Sequence, residues 1–215
     1  MSHQMDEEIE QMGLRATVIT AIFGAIAILA LVGMFAYAVW PQSKKAVCGT
    51  ERWAVKTLAD PQGEQTAARS PRDTTVAQLT SFPAIDRKTL LHAPATRFPP
   101  AELTVYEVHA VMLGFKRESD DDFHIVIADP KNLKDTMIVE IPAGACVPGP
   151  DQAAFASEQA AFAEQFGKPT AKYKALAKPI AVEVRGVGFY DFIHGQTGVA
   201  KNGFELHPVL GISKE

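Results

Sequence analysis

Four side chains in the C-terminal half are of the types that hold metals or move protons: His124, His194, Glu205 and His207. Neutral imidazoles and carboxylates suit zinc or manganese, and an open catalytic site takes about three protein ligands plus a water. Such a set would make the chain a metal-dependent hydrolase, with His124, His194 and His207 as ligands and Glu205 as a further ligand or general base. The spacing matches no zinc motif, because HExxH is absent and His194 and His207 stand far apart on either side of a loop. Glu205 and His207 share strand parity and hence one face. A plainer reading has His124 and His207 hydrogen-bonding to backbone and fastening loops, with Asp120 to Asp122 as a solvated turn. Calcium is a weaker match, since DDDFH lacks the glycine and distal glutamate of an EF-hand.

The second candidate is the loop Asp191 to Gly203, DFIHGQTGVAKNG. Asp191, His194, Gln196, Thr197 and Asn202 offer donors and acceptors. Gly195, Gly198 and Gly203 free the backbone for tight turns and close approach. This is the binding loop of a noncatalytic module, or else a rigid connector whose glycines serve positive φ. It lacks the GxxxxGK[ST] and GxGxxG patterns, so nucleotide phosphates have no cradle here. Oligonucleotide binding would draw on Phe189, Tyr190 and Phe192 for stacking, with only Arg185 and Lys201 near in sequence. No GxSxG supports a nucleophilic serine.

The elements that must position these residues are mostly strands. Leu103 to Phe115 alternates, with Tyr106, Val108, Ala110 and Met112 on one face, and Gly114 eases a bend at its end. KRESDDD then turns the chain, and Phe123 to Ala128 and Thr136 to Ile141 complete a meander. Asp151 to Phe166 reads as the only clear soluble helix, with Phe155, Phe162 and Phe166 on one stripe, Asp151 as N-cap and Gly167 as stop. Ile180 to Val187 and Phe204 to Leu210 are the last two strands. Three strands, a helix and two strands is the order of an OB-fold-like five-stranded barrel, mainly β with one soluble helix, over residues 103–215. Residues 41–102 read as an irregular wrap. It holds a short strand or edge segment within Cys48 to Asp60 and a short helix near Thr75 to Thr80.

Ahead of the wrap, residues 1–13 are polar and acidic and read as a disordered tail. Residues 14–40 carry no charge after Arg15 and exceed the roughly 20 residues that span a bilayer, which reads as a transmembrane anchor. Tyr37 and Trp40 suit the headgroup zone. A cleaved signal peptide is the rival reading, through Ala36-Tyr37-Ala38, but the acidic lead-in does not fit one. Four of the 25 acidic residues and one of the 21 basic ones precede or open the apolar segment. The rest of the chain is almost neutral, which argues against a general nucleic-acid binder. Cys48 and Cys146 are the only cysteines and form no CxxC, which argues against a thiolate zinc site and a thioredoxin-like motif, and the pair is either one disulfide or two buried thiols.

ERWAVKTLAD, ESDDDFHIVIAD, TMIVEIP and GVGFYDFIHGQTGVAKNGFELHPVL resemble the recurring blocks of a family of bacterial proteins, often exported or membrane-anchored, over about Cys48 to Ile212. The chain departs from that pattern at Lys201, where the family has proline. The resemblance implies no catalytic residues. It implies export, and so places the large domain outside the cytoplasmic membrane, in the periplasm. Lys44, Lys45, Arg52 and Lys56 argue for the opposite orientation by the positive-inside rule. The expectation is a single-pass, membrane-anchored extracytoplasmic module with an unknown protein or glycan partner and no cofactor. The alternative is the zinc or manganese hydrolase.

Overall fold

Six strands follow one another in a computed structural model that describes residues 48–149 and 151–215. They are β1 (Arg72–Thr74), β2 (Val105–Arg117), β3 (Phe123–Asp129), β4 (Asn132–Ile141), β5 (Lys174–Tyr190) and β6 (Phe204–Lys214). All belong to one mixed sheet. β2, β3 and β4 form an antiparallel meander, β4 meets β6 in parallel at Val139 and Leu206, and β6 runs antiparallel to β5. β5 then returns to β2, antiparallel from Val105–Val187 to Phe115–Lys174. Five strands therefore close into a ring, and β1 attaches outside it, parallel to β2.

Alternation explains which faces turn inward. Tyr106, Val108, Ala110 and Met112 of β2 enter the core with Ile125, Ile127, Val139 and Leu206, while His109 on the other face is exposed. The register slips between Met112 and Gly114, where a side chain would meet the Tyr173 hydroxyl at 2.5 Å. β3 is buried along its whole length because its second face, His124, Val126 and Ala128, is covered as well. The loop after β5 supplies part of that cover: a Cβ on Gly198 would lie 2.4 Å from Val126.

Five helices accompany the sheet among the described residues: α1 (Trp53–Lys56), α2 (Gly63–Ala67), α3 (Val76–Leu79), α4 (Arg87–Leu91) and α5 (Asp151–Phe166). α5 has the expected bounds and buries Phe155, Phe162 and Phe166. Phe162 packs edge-on against Phe115 at 5.2 Å and against Phe123 at 5.8 Å. Gly167, at φ 93°, ends the helix. α3 is the short helix expected near Thr75, closed by a capping box between Thr75 and Gln78.

The expectation of a single soluble helix is corrected to a mixed α/β architecture. Helices of four or five residues have too little period to read and form only where caps and burial hold them. The segment Cys48 to Asp60 holds the one-turn helix Trp53–Lys56 between turns instead of a strand. Arg52 and Leu58 both take positive φ, and Val55 and Leu58, three apart, turn to the interior together. The short strand of the wrap lies at β1 instead. The tail at 1–13 and the anchor at 14–40 lie outside the described residues, among which no helix is long and apolar enough to cross a membrane.

Two buried ion pairs and a disulfide fasten the wrap. Arg52 forks onto Glu102 at 2.6 and 2.8 Å and donates its remaining protons to the carbonyls of Tyr190, Thr96 and Ala93. Arg97 grips Asp60 at 2.6 to 3.1 Å. Cys48 is bonded to Cys146, 98 positions on, in the turn after β4. On loop-closure entropy, replacing both cysteines by serine should lower stability by about 3 to 5 kcal/mol in urea unfolding, and a loss below about 1 kcal/mol would contradict that role.

Candidate functional site

The outward faces of three neighbouring ring strands carry charge where their inward faces carry core. His124 on β3 stands directly opposite Glu140 on β4, while their neighbours Ile125 and Val139 point inward. Leu206 on β6 pairs with Val139 and also points inward, which turns Glu205 and His207 to the outer side with Glu140. The β2–β3 turn brings Glu118, Asp120 and Asp122 to the same place. α1 adds Lys56, and the loop after β5 adds Asp191.

Carboxylate and imidazole alternate here in one continuous series. The His124 Nε2 lies 2.9 Å from the Thr197 carbonyl, and its Nδ1 lies 2.9 Å from Glu140 Oε1. A carbonyl only accepts, so Nε2 carries a proton and Nδ1 faces the carboxylate. The other oxygen of Glu140 is 3.2 Å from His207 Nδ1, and His207 Nε2 is 3.6 Å from Asp122 Oδ2. The first contact is not aligned for a hydrogen bond and the second is too long for one, so both ring nitrogens of this fully buried histidine are left without a hydrogen bond. Asp122 Oδ2, Glu205 Oε2 and Asp191 Oδ1 are likewise buried and unpartnered. Asp122 Oδ1 is satisfied by the Ala143 amide at 2.7 Å.

Charge in the cleft is far from balanced, with Glu118, Asp120, Asp122, Glu140, Asp191 and Glu205 gathered near two ammonium groups, Lys56 and Lys116, of which Lys116 lies 2.8 Å from Glu118. Burial, helped by Asp120 and Glu140, pushes the Asp122 carboxyl up to about 8. Burial, with Asp191 and Glu140 behind it, holds Glu205 well above the ordinary carboxyl range. Burial also lowers His207 and keeps it neutral despite Glu140. At Glu140 burial is outweighed by the two imidazoles and by Lys56, which hold its carboxyl well below the usual value. For Lys56 burial opposes the charge, yet Asp191, Glu140 and Glu205 raise it above an ordinary lysine. Burial raises Asp120 too, so desolvation and like charge favour the protonated forms of Asp120, Asp122 and Glu205.

The outer side of the cluster is the floor of a polar cleft of about 410 Å³, lined by Glu118, Asp120, Glu140, Asp191, Glu205 and the stretch from His194 to Thr197. Of the residues singled out from sequence, His124 and His207 are brought together through Glu140. Glu205 and Asp191 line the cleft beside them. His194 is exposed at the cleft wall, where its amide bonds to Gln196. Gln196 also ties back to the Phe192 carbonyl, and Thr197 contributes its carbonyl to His124. Asn202 is turned away and spends its amide on Leu79 and Phe82, which joins the loop to α3. Asp122 is buried, so the acidic turn is not wholly solvated.

Sequence reasoning missed Glu140, Glu118 and Lys56. A signal for Glu140 existed: it is the lone charge in the apolar run Met137 to Ile141, directly across from His124. A further grouping of ligand types, Glu107, His109 and Glu183, sits on β2 and β5, with His109 exposed and bonded to Glu215. Compared with family models, curated proteins and solved structures, the chain matches none of them.

The buried acids make stability depend on pH. An unfolded aspartate releases its proton near its ordinary value of 3.8 and folded Asp122 near about 8, so the native state holds an extra proton across that window. Stability therefore falls as pH rises from about 4 to about 8, by at most about 1.4 kcal/mol per pH unit from this group. Asp122→Asn should remove that component, seen as urea midpoints that decline less than the parent's over the same range. A variant whose profile runs parallel to the parent's would contradict the assignment.

Proposed function

We propose that this protein is a metal-binding module whose ligand is a divalent transition-metal ion, zinc or manganese, held by Asp122, Glu140 and His207. The observation that carries the reading is His207: an imidazole with no solvent exposure and no hydrogen bond at either nitrogen, set between two carboxylates. Unpaired buried polar groups are costly, and a cation would satisfy one ring nitrogen together with the carboxylate oxygens around it. The three side chains offer ligand atoms within 4.8 Å of one another. Two ligands about a tetrahedral zinc ion stand roughly 3.4 Å apart, given bonds of about 2.1 Å. The 3.2 Å between His207 Nδ1 and Glu140 Oε2 is close to that spacing.

The scaffold supports the reading. A five-strand ring in the order β2-β3-β4-β6-β5, with a helix between its third and fourth strands, fits an OB-like barrel. In that fold the loops after the first and fourth strands take the ligand, and here those loops wall the cleft. The disulfide suits an oxidising compartment. With the apolar segment at 14–40 as anchor and the resemblance to exported bacterial proteins, it favours a module on the outer side of the cytoplasmic membrane. The acidic lining disfavours nucleic acid and leaves a protein or glycan as partner.

Elemental analysis of the detergent-purified chain, dialysed against zinc or manganese and then metal-free buffer, should find near-stoichiometric metal. Loss of that metal in His207→Ala and Asp122→Asn, with unchanged circular dichroism, is the expected result. A parent that retains no metal overturns the reading.

A second reading, metal-assisted hydrolysis, is favoured by Glu205, a carboxyl at the wall of the cleft that burial raises well above the ordinary range. A metal would lower the pKa of a bound water, and Glu205 would protonate the leaving group. Turnover of ester or phosphoester substrates by the loaded protein should fall by roughly 10²- to 10⁴-fold in Glu205→Gln while metal content holds. Equal turnover in the two proteins would remove Glu205 from the chemistry.

A further inference from the structure

Glu140 presents its two oxygens to two different sets of ligands, and this asymmetry goes beyond a single ion. Oε2 faces His207, on the side of Asp122. Oε1 faces His124 Nδ1 at 2.9 Å, and the Glu118 carboxylate lies 3.3 Å from the same nitrogen. Glu118, His124 and Glu140 offer ligand atoms within 4.8 Å of one another, as do Asp122, Glu140 and His207. Resting on the reading of the site as a metal centre, we infer that Glu140 is a bridging carboxylate and that Glu118, His124 and Glu140 hold a second divalent cation, manganese or zinc.

Three further observations support the second position. His124 is already set as a ligand: its Nε2 proton is spent on the Thr197 carbonyl, which directs Nδ1 towards the carboxylates. Metal-binding histidines are oriented in this way by the partner of their other nitrogen. The charge imbalance points the same way, since Glu118, Asp120, Asp122, Glu140, Asp191 and Glu205 face only two ammonium groups, Lys56 and Lys116, the latter 2.8 Å from Glu118. Buried, unpartnered oxygens on Glu205 and Asp191 also belong to residues lining the cleft. Glu118 is only half-buried and opens this position to the cleft, where water or a substrate oxygen completes the coordination. Carboxylate-bridged pairs hold their ions about 3.5 to 4 Å apart, close enough for their electrons to couple.

Manganese titration of the metal-free full chain in detergent, followed by calorimetry and electron paramagnetic resonance, tests this. The expected result is two ions per chain with a spin-coupled spectrum. Glu118→Gln and His124→Phe should each lower the count to one and abolish the coupling, leaving the ion at Asp122 and His207. Because His124 also fastens Thr197, the Glu118 variant decides the matter if the His124 variant does not fold. A single ion, unaffected by Glu118→Gln and lost in His207→Ala, would overturn the second position and keep the first. Two uncoupled ions, one of them lost in Glu183→Gln, would place the second on the exposed β2–β5 group and overturn the bridge. No ion at all would remove the metal reading itself.

Discussion

The buried fork between Arg52 and Glu102 is the constraint on which the rest of the molecule depends. Both side chains are withdrawn from water, and such a pair costs desolvation that only complete hydrogen bonding offsets. That condition is met from three directions. Arg52 reaches the carbonyls of Thr96 and Ala93 in the wrap and of Tyr190 at the end of β5. Glu102 accepts the amides of Phe98 and Tyr190. One ion pair thus joins the start of the described chain, the proline-rich segment and the mouth of the loop at Asp191. Lys56 lies one helical turn beyond Arg52 and Asp191 one residue beyond Tyr190, so their 3.6 Å approach follows from the same fork.

The cleft inherits its electrostatics from that placement. Lys56 is delivered by the wrap, the imidazoles and Glu140 by the ring, and Glu118 to Asp122 by a turn, so no single element contains the cluster. The ring keeps Leu206, Val139 and Ile125 inward, and the outward partners of those residues have no choice but to gather. Burial raises Asp120, Asp122 and Glu205, while two imidazoles and Lys56 hold Glu140 low.

Much of the frame is readable from the chain because it is written in short periods. β2 alternates over Tyr106 to Met112, and α5 carries a phenylalanine stripe and a glycine stop, with Asp151 inside its first turn instead of capping it. The loop from Asp191 to Gly203 announces itself by polar residues between apolar runs, and its glycines at 195, 198 and 203 all take positive φ. The hidden part depends on contacts distant in sequence. α1 reads as extended because two apolar residues cannot set a period, and Arg52, which fixes its geometry, finds its partner 50 residues away. Glu140 escapes notice because its partners lie on β3 and β6, and His194 draws too much weight because residue type says nothing about which way a loop turns.

Ring closure also limits how another protein can attach. A sheet with an open flank invites pairing with an extended segment of a second chain, through backbone hydrogen bonds that are indifferent to sequence. Here the terminal strand of the sheet is β1, three residues long and largely exposed. Where the ring is closed, from Val182 to Tyr190 on β5, recognition is left to side chains and loops, whose chemistry discriminates.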